Sequence, residues 1–254
     1  MLPIAPDEAA GFLLTLGALL PSTLILTWCV DGAAGVRRLF RRATRWRIGV
    51  GWWGAIFTAL PALTTGLAVL LGDSLKPVNV AQLFVTQLWL LLTNLVIVNL
   101  WEELAWSGFM QTRLERRHNI FVAALITIIP FALVHEPLRL FTGEVTLISV
   151  AVGLALYLVL GLFFRPMLAV VLRGTRDSVL AVAVLHSVFN RSVNDNGIAA
   201  SLVDGETRSL TMLIAVAVVT LTVSVIFRRR LTRAYRRELD AVHVQHVDDR
   251  EPAR

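Results

Sequence analysis

The stretch VAQLFVTQLWLLLTNLVIVNLWEELAW, residues 80–106, runs for 22 residues without a charge and then presents two adjacent glutamates, Glu102 and Glu103. A bilayer core of about 30 Å takes about 20 helical residues, so 80–100 reads as a membrane span. Six further apolar runs flank it, at 9–30, 48–71, 119–135, 145–164, 178–190 and 210–227. The runs at 119–135 and 178–190 are short, and each carries a histidine near one end. A further short span within 165–172 would raise the count from seven to eight. The 254 residues are 56% apolar and 17% charged, with a mean hydropathy of +0.69. Soluble domains average about 45–50% apolar and about 25% charged, so the chain is displaced toward membrane proteins on both counts. That composition excludes disorder, and the single Cys29 excludes an internal disulfide framework. The expected fold is an all-α, polytopic integral membrane helical bundle.

The arginines orient it. Arg37, Arg38, Arg41, Arg42, Arg45 and Arg47 fill the first loop. Arg113, Arg116 and Arg117 follow the third run, Arg165, Arg173 and Arg176 the fifth, and Arg228, Arg229 and Arg230 the seventh. The alternate loops hold only Lys76, then Arg139, then Arg191 and Arg208. The positive-inside rule therefore expects a plasma-membrane protein with its N-terminus outside and its C-terminus cytoplasmic. Trp46, Trp52 and Trp53 read as an interfacial belt beside the first basic loop. Asp7 and Glu8 precede the first run and no basic segment does, so that run does not read as a cleaved signal peptide. The net charge of +6 sits in short clusters between apolar runs, which excludes nucleic acid as the expected partner. Residues 1–230 read as one membrane domain and 231–254 as a charged cytoplasmic tail drawn to anionic lipid.

Ionisable side chains at bilayer depth cost roughly 2.5–3.5 kcal/mol each, so those present ask for a function. They are Glu102, Glu103, His135 and His186, accompanied by the amides Asn94, Asn99 and Asn190. His186 and Asn190 are spaced i,i+4 and share a helix face, as do Phe131 and His135. At about 1.5 Å per residue, Glu102 lies about 16 Å from Arg113, His186 about 14 Å from Asp177 and His135 about 22 Å from Phe121. Those depths let the three groups meet, provided that the third helix continues past Leu100 through the glutamates. A glutamate and a histidine can hold and deprotonate a water, while a second histidine and an amide can stabilise an oxyanion. Glu102, His135 and His186 could instead form a three-ligand zinc site with an open position. Either arrangement hydrolyses a peptide bond inside the membrane. Ser107 and Ser187 lack the neighbours of a serine nucleophile.

The residues resemble the CPBP family, the CAAX prenyl proteases and bacteriocin-processing (Abi) membrane proteins. The family's motifs run E-E-x-x-x-R, F-x-x-x-H and H-x-x-x-N in that order, and here they fall on Glu102-Glu103, Phe131 with His135, and His186 with Asn190. The likeness covers about residues 88–196, and the arginine-rich first loop is similar to that of bacterial members. It implies an intramembrane endopeptidase of metallo or glutamate type, in which Glu102 and His135 activate water and His186 and Asn190 form the oxyanion hole. It also implies a membrane-associated protein or peptide substrate, which in some relatives is prenylated. Where the motif has arginine, this chain has Ser107. An arginine there would sit i,i+4 from Glu103 and neutralise it. Without it, Glu103 is expected to be protonated or paired with a group from another helix, with Arg113 too far along its own helix to serve. Two alternatives to the enzyme follow: a catalytically silent relative acting as scaffold or immunity factor, and a proton-coupled transporter. The transporter lacks the internal repeat such proteins commonly carry.

Overall fold

Helix begins where a side chain can satisfy the first free backbone N–H groups. In the computed structural model, which describes residues 6–141 and 145–248, four starts are made this way. The Asn79 side chain accepts from the Gln82 N–H, Asn119 from Phe121 and Val122, and Ser178 from Ala181, while Thr146 and Ser149 form a reciprocal capping box. Seven principal helices result: α1 (Ala10–Ala43), α2 (Val50–Leu70), α3 (Val80–Leu114), α4 (Ile120–His135), α5 (Leu147–Gly174), α6 (Val179–Val193) and α7 (Arg208–Asp248). Six of them are long and apolar enough to cross a membrane: α1, α2, α3, α4 with its continuation to Leu138, α5, and α7 over Arg208–Arg228. The chain is a multi-pass helical membrane protein. Its strand structure, among the described residues, is one two-residue antiparallel pairing of Ser74–Leu75 with Val203–Asp204. Residues 249–254 of the expected tail lie outside the described residues.

Three helices depart from their expected limits. The run expected at 145–164 does not end there, and 165–172 forms no separate span. Both belong to α5, whose 28 residues reach about 42 Å. Arg165, expected in a basic loop, is therefore inside the bundle and 1% exposed. The run at 178–190 becomes α6, whose 15 residues cover only about 22 Å. Twelve of those 15 residues are buried, so α6 is enclosed by its neighbours rather than by lipid. In α1, Gly32 adopts φ 63° and ψ −169°, breaking the helix just beyond the end of the first apolar run. The segment after the break buries Gly35, Leu39 and Ala43 at helical spacing and leaves Arg37, Arg38 and Arg41 exposed.

The bundle has two chemically distinct ends. At one, Arg42 donates to the Gly108 and Asp177 carbonyls (2.8 and 3.3 Å), Arg113 pairs with Asp31 (2.5 Å), and Arg173 bridges Glu115 and Asp177 (2.5 and 2.6 Å). The Arg45 guanidinium caps the Arg176 carbonyl. The other end is tied by Lys76 to the Ala200 carbonyl (3.2 Å), Gln87 to the Asn196 carbonyl (2.8 Å) and Thr207 to Asp73 (2.8 Å). The arginine clusters after α1, α3 and α5 thus share one face of the molecule. Between the ends, α4 packs on α5, α7 on α2 and α5, and α2 on α6.

Candidate active site

Helix α3 continues through both glutamates as the depth argument requires, but not as a regular α-helix. Wider, π-type turns occupy Leu95–Asn99 and Leu104–Gln111, on either side of the glutamate pair. Such turns rotate the following side chains relative to a plain helix and recur at functional sites. Here Asn99, Glu102 and Glu103 are all buried against α6 and α5.

Glu102, His135, His186 and Asn190 line one cavity of about 360 Å³, together with Asn94 and Tyr157. The His135 ring lies between Phe131 (ring centroids 4.6 Å apart) and Tyr157 (4.7 Å). Its Nδ1 donates to the Phe131 carbonyl at 2.6 Å, which fixes the tautomer and leaves Nε2 as the acceptor. His186 meets the edge of Phe164 at 4.9 Å, and its Nδ1 lies 3.0 Å from Glu103 Oε1 and 3.9 Å from Glu102 Oε2. Asn190 donates to Asn99 Oδ1 at 3.4 Å, and Asn99 donates to Ser187 Oγ at 3.0 Å. Ser187 in turn donates to the Ala183 carbonyl (3.0 Å), so its hydroxyl is committed to structure.

Glu103 is fully buried behind the cavity and is not part of its lining. It has the partner from another helix that the sequence left open. Arg165 Nη1 donates to both Glu103 oxygens (2.9 and 3.1 Å), and Nη2 donates to Ser107 Oγ at 3.3 Å. Ser107 donates to the same carboxylate. The guanidinium also lies over the Phe131 face, 5.5 Å from its centroid. A positive charge therefore reaches the second glutamate from α5 while serine occupies the motif position on α3.

Residues 83–192 match the family model described as type II CAAX prenyl endopeptidase, Rce1-like. Over that stretch, which is less than half of its length, the chain is similar to the CAAX prenyl endopeptidases of the CPBP family. No curated protein matches the chain closely enough to stand as a relative. The match spans α3 to α6, the helices that supply the two glutamates, both histidines, Asn190 and Arg165. Among the described residues, no three histidine, cysteine, aspartate or glutamate side chains are grouped to hold a metal ion. Glu102, His135 and His186 share the cavity without forming a zinc ligand set.

The residue that sequence reasoning misplaced is Arg165. Its signal was the apolar run resuming immediately afterwards, from Met167 to Leu172. An isolated arginine between two apolar runs reads as a loop boundary by charge and as a buried partner only by helix length.

Proposed function

We propose that this chain is a CAAX-protease-like intramembrane endopeptidase in which Glu102 and His135 activate water and His186 and Asn190 stabilise the oxyanion. The observation that carries the reading is that these four side chains line a single cavity. Water held between the Glu102 carboxylate and His135 Nε2 loses a proton to Glu102 as its oxygen bonds to the peptide carbonyl carbon. The negative charge developing on the carbonyl oxygen is met by N–H groups of Asn190 and of His186, whose ring Glu103 holds in place through Nδ1. The tetrahedral species then collapses, its C–N bond breaks, and Glu102 returns the proton to the departing amine. Each step needs a desolvated, pre-aimed donor or base. Glu103 is a positioning residue, because it touches His186 and not the cavity.

The silent-scaffold alternative rested on the absent motif arginine, and Arg165 supplies a guanidinium to the same carboxylate. The substrate is a peptide or protein held in the bilayer, and a library with prenylated and unprenylated members tests whether lipid is required. Residues 1–230 act as the membrane domain in a plasma membrane, with the N-terminus outside and 231–254 as a cytoplasmic tail. The test is cleavage by the purified chain in liposomes, read by mass spectrometry. Glu102→Gln lowers turnover by about 10²–10⁴-fold, the usual contribution of a general base. Cleavage at the wild-type rate by Glu102→Gln would remove Glu102 from the mechanism.

A further inference from the structure

The catalytic cavity has a direction. Its floor is Glu102, Phe131, Phe164 and His186. Its remaining lining lies progressively toward one end of the bundle: Asn94 on α3, Leu138 beyond the end of α4, Asn194 beyond the end of α6, and Met212 in the first turns of α7. Gly11 and Phe12, at the start of α1, complete the mouth. Every one of these mouth residues is on the part of its element nearer the Lys76, Asn196 and Asp204 end. Among the described residues, the lining includes none of the arginines at 37–47, 113–117 or 173–176.

The arginine-rich end is also the one with unspent positive charge. A separate hollow there is lined by Arg41, Arg45, Arg47 and Arg176 with Thr44 and Trp46, and among the described residues no carboxylate contributes to it. The neighbouring carboxylates Asp31, Glu115 and Asp177 are already paired with Arg113 and Arg173. Four guanidinium groups beside an exposed indole suit the anionic leaflet that faces the cytoplasm. The cavity mouth lies at the opposite end.

We infer that the active site is served from the extracytoplasmic side of the membrane, so that its substrate is a peptide segment presented at the outer face rather than a protein tail offered from the cytoplasm. This rests on the protease reading for the word substrate, and on geometry and charge alone for the side of entry. The mouth selects peptide by its amides. Asn94 Oδ1 is shielded from solvent and meets no donor among the described residues. A backbone N–H of an extended peptide is the donor that such an acceptor lacks, since a buried unpaired acceptor is costly. Asn194 also lines the mouth, but its amide is engaged by the Asn190 carbonyl and the Arg191 guanidinium. The Asn94 acceptor prefers no one side chain over another, so recognition here is of the peptide backbone.

The experiment is thiol labelling of the full chain in intact bacterial cells with a membrane-impermeant reagent, in a Cys29→Ala background. Single cysteines replace Val98 within the cavity, Asn194 at its mouth, Asp195 on the arginine-poor end and Arg116 on the arginine-rich end. Expected is labelling of the Val98, Asn194 and Asp195 variants in intact cells, and loss of all Arg116→Cys labelling until the cells are permeabilised. Labelling of Val98→Cys and Asn194→Cys only after permeabilisation overturns the inference, whichever way Asp195→Cys behaves. So does an unreactive cavity pair under both conditions when Asp195→Cys labels normally. None of these readouts requires cleavage, so a chain that labels as expected yet cuts nothing would sink the protease reading and leave the side of entry standing.

Discussion

Arg165 and Ser107 divide a job that one motif arginine does in the family pattern. A buried glutamate stripped of its cation leaves an uncompensated charge, at a cost of about 3–5 kcal/mol. Arg165→Met is therefore expected to lower the melting temperature of the detergent-solubilised chain sharply, whereas Glu102→Gln, at the cavity wall, leaves it nearly unchanged. Ser107→Arg alone is not a gain. Position 107 is fully buried and already satisfied by Glu103 and Arg165, so a second guanidinium overfills the space and sets two cations beside one carboxylate. A melting temperature for Ser107→Arg at or above that of the wild type would contradict this packing. The candidate site was largely legible in sequence because intramembrane ionisable groups are few, and helical spacing puts His186 with Asn190 and Phe131 with His135 on common faces. What stayed hidden was a pairing between α3 and α5, 62 residues apart, which no local pattern encodes.

Among the helices, α3 and α5 set the geometry. The wider turns at Leu95–Asn99 and Leu104–Gln111 have no periodic signature in a uniformly apolar run, so the sequence supports a helix through the glutamates without revealing its irregularity. The length of α5 was obscured for the opposite reason, because one charged residue interrupts its apolar pattern at Arg165. Helices α4 and α5 approach closely where Gly161 faces Ile128: a Cβ on Gly161 would come within 2.6 Å of Ile128 Cγ2. That contact holds His135 against Tyr157 and Arg165 near Phe131. Gly161→Val is expected to force the pair apart at a cost of about 1–3 kcal/mol, read as a fall in melting temperature together with reduced turnover. Retention of both would show that α4 and α5 yield freely at this point.

For the molecule as a whole, charge and chemistry are segregated along the membrane normal. The arginine clusters that set the expected topology are far apart in sequence, yet they meet in space through Arg42, Arg45, Arg113 and Arg173. Loop-by-loop charge counting anticipated that the clusters after α1, α3 and α5 share one face, and it erred in placing Arg165 among them. The short run at 178–190 was visible in the sequence as well; what the sequence did not show is that α6 is enclosed by its neighbours rather than by lipid. Enclosure is what lets α6 bury His186 and Ser187, with Asn190 half-buried one turn beyond His186. The same enclosure makes the bundle sensitive to any loss of charge balance inside it.

The measurement that bears most directly on the account is a charge-relocation series in proteoliposomes: wild type, Arg165→Met, and Arg165→Met with Ser107→Arg, each assayed for peptide cleavage by mass spectrometry. If a guanidinium on Glu103 is what holds His186 for the oxyanion, Arg165→Met loses most turnover and the double variant regains a measurable part of it from the motif position. Turnover unaffected by Arg165→Met in a well-folded sample would contradict that claim, and no cleavage by the wild type would contradict the enzyme itself.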